Sequence, residues 1–587
     1  MANTLKISEA VINKLSTINF TYSGCLHGIF YKNSLLVLGL HVETDEKDEI
    51  INSLPTEVDI CGVIDINSEE NNVKVDDILR KVDITDNPIY ISFNSSLENS
   101  ISAYFIVNDQ LKSANFEIVK QANIYSEFVH VRLRASLPIY TELNIDAIKE
   151  AFLTLRKQFT SGQVAFNFQK SKVYLVGHDL ENRLIGLSGD PTVGELCDES
   201  YVTNEGQINQ RKRKSGQNIQ QQVIEVYMFK KSTRDFPVEG TTLHAPVVHV
   251  DKKTFQSLQL WVEVDALSMV HVDSKVVNLY DIIVESSCRN LRLQQNAFFK
   301  FFTDCIEEQG KISNLKIYHF YPESCGHFVT KAYPKNFADI DLEEERSLLH
   351  KQLLLPVNRP IFRKSNVFLF RSDIQIGGPL INPHEGLIHT GNENEVVIVR
   401  GKYLYYHYCQ NKMDDNGWGC AYRSLQTLAS WFLLQGYTCR PVPTFDEIQK
   451  CLVDIGDKSN SFIGSKQWIG STEVTFVLNS LLGITSKIIY VSSGEELATK
   501  GPDLINHFKT QGTPIMIGGG VLAHTILGVD YNRKTGDIQF LVLDPHYTGP
   551  EDVEIIQKKG WCGWKGMNFW DKGSYYNMCL PQAPTCI

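Results

Sequence analysis

Cys420 closes a glycine-punctuated turn, Asp414-Asp415-Asn416-Gly417-Trp418-Gly419-Cys420, and a helical pattern begins directly after it. Leu425, Leu428, Ala429 and Phe432 recur at helical spacing and mark one buried face. The cysteine therefore falls at the first turn, where unpaired N–H groups and the positive end of the helix dipole collect. That setting favours thiolate over thiol, and the thiolate is the nucleophile. A cysteine near a helix start is more often a small buried hydrophobe. The nucleophilic reading therefore needs a base, and a group to orient that base. Downstream, Leu541-Val542-Leu543-Asp544-Pro545-His546-Tyr547-Thr548-Gly549 offers both at the end of an apolar strand. Pro545 fixes the backbone between acid and imidazole.

His546 would accept the Cys420 proton and return it to the leaving group. Asp544 would hold the imidazole in its working tautomer. At i and i+2 the two project to one side of an extended strand. A rival base is His524, in Gly518-Gly519-Gly520-Val521-Leu522-Ala523-His524-Thr525, with Asp544 then orienting it from the next strand. On the residues alone the two histidines stay unresolved. Acyl transfer also needs a donor for the oxyanion. The Cys420 N–H is one candidate, and a side-chain donor belongs just upstream, where Tyr403, Tyr405, Tyr406 and Tyr408 lie. Trp468, in Lys466-Gln467-Trp468-Ile469-Gly470-Ser471, is a candidate substrate-binding wall over the cysteine, whereas Trp561 and Trp564 read as structural.

These side chains need a scaffold. After the cysteine helix the pattern changes to short strands at residues 487–491, 514–517, 524–531 and 538–543, the last two joined by the turn at 532–537. A helix bearing the cysteine, followed by antiparallel strands bearing the base, is the plan of papain-like peptidases. Residues 366–370 and 396–400 read as strands around Gly377-Gly378-Pro379. The fold class is α+β, with this domain at 363–587. Upstream, 1–200 reads as one α/β domain, with strands at 35–42, 58–66 and 129–134 and a helix stripe Ile145, Ile148, Phe152, Leu155, Phe159. A polar linker follows at 204–222, carrying Arg211-Lys212-Arg213-Lys214, a solvated run or a nuclear-import signal. A second α/β region at 223–360 has strands at 223–229, 245–250 and 258–264, a helix at 279–302, and another at 341–354 stopped by Pro356.

Net charge is −11 over 587 residues, with no extended basic face, which disfavours nucleic-acid binding. Thirteen cysteines fall without any C-x-x-C, so a zinc ribbon or thioredoxin-type centre is not expected and a reducing compartment is. The first residues form no apolar signal core, and no run of about eighteen apolar residues would span a membrane. The expectation is a cytosol-facing protein.

Asn416 to Gln426, Gly518 to Thr525 and Asp544 to Gly549 together resemble the ubiquitin-fold modifier 1 specific proteases, densely from about Lys402 to Ile587. The resemblance implies a papain-like fold with Cys420, Asp544 and His546 as its catalytic residues, which selects His546 over His524. It implies Tyr408, twelve residues before the cysteine, as the oxyanion donor, and a narrow tunnel for a glycine-ended tail. It implies two reactions: maturation of the modifier precursor after its C-terminal glycine, and removal of the modifier from lysines of conjugates. Longer members carry an N-terminal extension, as here. Gly24 to Ile29, the strand at 35–42 and Val58 to Gly62 are similar to an MPN-type domain. No His-x-His occurs, so no metal is expected, nor any cofactor. The extension implies recruitment to the cytosolic face of the endoplasmic reticulum through a membrane-anchored adaptor. The competing expectations are an autophagin-like protease, which shares the Asp-Pro-His motif and acts on lipidated autophagy modifiers, and an inactive modifier-binding adaptor.

Overall fold

The computed structural model describes residues 4–42, 47–67, 75–83, 87–95, 101–169, 171–177, 182–202, 222–230, 256–307, 312–373, 378–387 and 394–587. The chain divides into two compact units, the first ending at Leu355 and the second running from Pro356 to Ile587.

Two sheets and a long helix build the first unit. An eight-stranded sheet runs in the order Gln110–Ala114, Ile101–Val107, Ile89–Phe93, Asp59–Ile66, Tyr22–Tyr31, Ser34–Val42, Thr4–Ser8, Phe116–Val119. Its central strands Ser34–Val42 and Asp59–Ile66 are buried along nearly their whole length. Burial on both faces explains why they read as continuous apolar runs rather than alternating ones. In the second sheet, of six strands, Val223–Lys230 lies between Val164–Phe168 and Phe128–Glu142. A boundary at 204–222 would cut that sheet in two. Strand Val223–Lys230 thus shares one sheet with strands from before residue 200, and the expected boundary at 204–222 does not separate two sheets. Residues 204–221, with the Arg211–Lys214 run, and the expected strand at 245–250 lie outside the described residues. Helix Leu279–Glu307 packs on helix Ile145–Thr160 and on strand Ser257–His271. The expected stripe Ile148, Phe152, Leu155 and Phe159 is buried there.

Three histidines form a buried chain in this unit. The Nδ1 of His327 meets the Phe328 carbonyl at 2.9 Å and must donate to it. Its Nε2 is then an acceptor, so His27 donates from Nδ1 at 3.2 Å, and His41 donates from Nδ1 to the Nε2 of His27. One carbonyl thus sets three tautomers. Burial holds His27 well below the usual imidazole range and His327 down to about 4. Burial likewise brings His130 down to about 3, and His384, His507 and His524 in the second unit to about 4. These imidazoles are neutral when folded. Below the unfolded value of about 6.5 the unfolded chain takes up protons that the folded chain refuses, so stability falls as pH drops toward 4. We expect a thermal midpoint clearly lower at pH 5 than at pH 7.5, checked by scanning calorimetry. An unchanged midpoint would refute neutral burial of these rings.

An antiparallel sheet organises the second unit. Its order is Ser486–Val491, Tyr576–Pro581, Ile515–Gly519, Leu522–Tyr531, Ile538–Leu543, Cys562–Gly566, and Glu395–Ile398 adds to the far end of Leu522–Tyr531. The expected strand at 366–370 does not form. The Asn366 side chain donates to the Pro360 and Ile361 carbonyls and turns the chain into a short 3-10 segment, Lys364–Asn366. Gly377 lies outside the described residues.

Helix Cys420–Leu434 departs from the one-sided helix its apolar spacing suggests: every residue from Cys420 to Phe432 is buried. Its polar side is occupied by the irregular segment 400–410. Trp431 Nε1 donates to the Arg400 carbonyl at 2.7 Å, Ser430 Oγ accepts the Leu404 N–H at 2.8 Å, and Thr427 Oγ1 accepts the Tyr406 N–H at 3.2 Å. Helix side chains thus satisfy the Leu404 and Tyr406 N–H groups, which the Ile381–Leu404 bridge does not pair, as buried N–H groups require.

Candidate active site

Cys420 is the first residue of its helix, and Gly419 in front of it supplies no side-chain cap. Asp544 follows strand Ile538–Leu543 and is held by its own N–H to the Trp561 carbonyl, 2.8 Å. Its carbonyl accepts the Tyr405 hydroxyl. The chain bends at this point rather than staying extended, so Asp544 and His546 do not merely project in parallel. One carboxylate oxygen accepts both the His546 N–H, 3.0 Å, and its Nδ1–H, 2.6 Å. The Nδ1 proton is thereby fixed, and Nε2 is left buried, without an oxygen or nitrogen partner, for the thiol.

The two histidines differ in their electrostatics. Burial alone would depress the His546 imidazole, but Asp544 and the hydrogen bond and charge of Cys420 raise it to about 9. Burial alone would raise the Cys420 thiol. The hydrogen bond and charge of His546, with further donors in the Tyr408 hydroxyl and the Ala523 N–H, instead take it below the usual thiol range. Each group is thus shifted toward its charged form, the thiol toward thiolate and the imidazole toward imidazolium. His524 shifts the other way. Burial drives it to about 4, it lies against Phe569 and Trp570, and its Nε2 stands 3.8 Å from the other Asp544 oxygen. A neutral ring of this kind walls the carboxylate.

Of the upstream tyrosines, Tyr403 is tied to His384 at 2.7 Å and Tyr405 to Asp544, while Tyr408 is the one electrostatically linked to the Cys420 thiol. Burial and the Cys420 charge raise its hydroxyl well above the ordinary phenol range, so it stays a donor. Its ring meets His546 edge-on at 5.3 Å, and its N–H donates to the Pro545 carbonyl at 2.9 Å. Trp468 lies at the surface. It is 55% exposed and makes no ring contact among the described residues, although the Tyr422 hydroxyl holds the preceding Gln467 carbonyl at 3.0 Å. Val521 and Leu522, which lead into Ala523, are exposed as well. Among the described residues, His524, Asp544 and His546 are close enough together to share a cation. The Asp544–His546 hydrogen bond accounts for that closeness without one.

A pair absent from the sequence reading lies directly beneath. Asp415 and Arg423 are fully buried and meet at 2.7 Å. Charges in the middle of a buried helix and its entry turn were the available signal, because such groups are rarely buried unpaired. Removing one partner of a buried pair costs about 3–5 kcal/mol.

A nucleophile made acidic, an imidazole oriented by a carboxylate, and a phenol beside the sulfur form the constellation of a thiol hydrolase. Comparison with known proteins agrees with it. The Peptidase family C78 model matches residues 394–579. The insect UFM1-specific protease N-terminal MPN-like domain matches 1–124, and the ubiquitin-fold modifier 1 specific protease 2 N-terminal model matches 149–375. A Drosophila melanogaster relative, "Probable Ufm1-specific protease 2", is 38% identical over 610 residues and covers 100% of both chains. The chain belongs to the Ufm1-specific protease family. Its human relative, Ufm1-specific protease 2, is 40% identical over 75% of this chain and 93% of its own length. The crystal structure of UfSP from C. elegans aligns over 100% of both chains with a TM-score of 0.70 at 26% identity. Membership of this family makes the protein a cysteine protease, with a C-terminal peptidase domain preceded by an MPN-like domain.

Proposed function

We propose that the protein matures the precursor of the ubiquitin-fold modifier Ufm1 after its C-terminal glycine and removes Ufm1 from lysines of conjugated proteins. The observation that carries this is the mutual tuning of Cys420 and His546 in a chain related along its whole length to Ufm1-specific proteases. Cys420 attacks the glycine carbonyl, and its S–C bond forms as the C–N bond to the lysine or downstream residue breaks. His546 gives its proton to the departing amine, then takes one from water, whose oxygen displaces the thiolate. Asp544 keeps the imidazole oriented. Tyr408 donates to the oxygen that turns negative, an interaction worth ~3 kcal/mol in a preorganised site.

The test is incubation with the Ufm1 precursor and, in parallel, with an autophagy-modifier precursor. Trimming of Ufm1 alone is the expected result. Trimming of the autophagy modifier alone would favour the autophagin-like reading, and binding without cleavage the adaptor reading. The exposed Trp468 serves as an apolar contact for the modifier. Trp468→Ala should raise KM about 5- to 30-fold, about 1–2 kcal/mol for a lost aromatic contact, and leave kcat within about twofold. A fall in kcat at constant KM would remove Trp468 from substrate binding.

The first unit directs the chain to the cytosolic face of the endoplasmic reticulum through a membrane-anchored adaptor. Among the described residues no helix is long and apolar enough to cross a membrane itself, so a membrane location would rest on a partner. Co-sedimentation of the full chain with intact microsomes, lost after proteolytic shaving of their cytosolic face, is the expected result. Equal binding to shaved microsomes or protein-free vesicles would refute an adaptor.

A further inference from the structure

We propose that Asp415 is a positioning residue for the oxyanion tyrosine, its buried carboxylate holding Tyr408 in register with the Cys420 sulfur. The inference rests on the reading of Tyr408 as the oxyanion donor.

One Asp415 oxygen accepts the Cys409 N–H at 2.8 Å, and the other accepts Arg423 Nε at 2.7 Å. Its own carbonyl accepts the Trp418 and Gly419 N–H groups at 3.2 and 2.9 Å, immediately before the nucleophile. Arg423, one turn into the cysteine helix, donates to the Gln410 carbonyl at 3.1 Å. The carboxylate therefore joins three parts: the tyrosine segment, the cysteine turn and the cysteine helix. Space is tight as well as bonded. A Cβ at Gly419 would stand 2.5 Å from an Asp415 oxygen, so glycine is required for the turn to close on it.

The segment after Tyr408 would not keep its shape alone. Cys409, Asn411 and Lys412 all have positive φ, at 62°, 58° and 60°. Non-glycine residues in that region persist only where their surroundings over-determine them. Here the surroundings are Asp415 and Arg423 on one side. On the other, Gln410 donates to Glu551 at 2.6 Å, and Glu551 also meets His407 at 2.9 Å. Tyr408 itself is pinned to Pro545, next to His546. Its N–H is thus referenced to the acid–base loop, and the next N–H to the cysteine turn. Loss of the second reference lets the phenol drift from the sulfur while the Cys420–His546 pair stays formed.

Asp415→Asn is the informative change. An amide must aim its NH2 at either the Cys409 N–H or the Arg423 guanidinium, and both are donors. We expect kcat on the full chain to fall about 30- to 100-fold, the usual penalty of a small misplacement, with KM within about twofold. The pH profile of Cys420 alkylation by iodoacetamide should not move, because His546 sets the thiolate. In a Tyr408→Phe background the same change should lower kcat less than about threefold, since the donor it positions is gone. Equal factors in both backgrounds, or alkylation falling in parallel with kcat, would overturn the proposal. If thermal melting shows Asp415→Asn unfolded, Arg423→Lys replaces it in the same cycle. That change keeps a cation beside Asp415 and removes the fork to Gln410, and the same non-additivity decides. A fully active Tyr408→Phe enzyme would remove the oxyanion reading and this inference together. An impaired one with additive Asp415→Asn would remove this inference alone.

Discussion

Cys420→Ala lowers turnover of a Ufm1 precursor by about 10⁵- to 10⁶-fold, the scale seen when the nucleophile of a cooperating catalytic set is deleted. The reason is that the remaining groups have nothing to act on. On this reading His546 and Asp544 act on one sulfur, and Cys451, Cys562 and Cys579 are buried in the core of the unit. The methyl side chain also removes the negative charge that raises His546, so the imidazole should return toward its ordinary range. Binding of the modifier should survive, because the sulfur is a reacting atom rather than an anchor, and conjugates should accumulate on the protein. Gel-based cleavage alongside fluorescence anisotropy of labelled Ufm1 separates the two effects. Residual cleavage within a factor of ten of the parent would place the nucleophile elsewhere.

His546→Ala should be nearly as damaging and more revealing, because it reverses the sign of the thiol shift. With His546 present, the Cys420 thiol lies below its usual range, and His546 keeps its proton up to about 9. Alkylation should therefore reach its plateau below the ordinary thiol range. Hydrolysis should decline above about pH 9, where the general acid is lost. Without the imidazole, burial is the largest influence left on the sulfur, and it acts upward. The alkylation profile should move by more than one pH unit to the alkaline side, with turnover down by about 10⁴-fold or more. His524→Asn should leave that profile in place, since the His524 ring is neutral and faces the other Asp544 oxygen. A shift caused by His524→Asn and not by His546→Ala would exchange the roles of the two histidines.

Cys420 at a helix start and Asp544 beside His546 were legible in the sequence because each is a local arrangement. A glycine-rich turn before an apolar 3.6-residue repeat specifies where the helix begins, and Asp-Pro-His brings acid and imidazole within two residues of each other. The catalytic-unit strands were likewise visible as short apolar runs between turns. Choosing between His524 and His546, or among Tyr403, Tyr405 and Tyr408, was a different problem. All these side chains have suitable chemistry and neighbouring positions in the chain. Their separation depends on how the sheet closes against the cysteine helix, which buries His524 against Phe569 and Trp570 and turns Tyr405 toward Asp544. The Asp415–Arg423 pair, and strand Val223–Lys230 seated between strands from before the polar insertion, have the same origin. Residue order along the chain determined which groups were available and how they are oriented locally. Tertiary packing alone decided which of them share a low-dielectric pocket, because burial and pairing are properties of segments that meet only after folding.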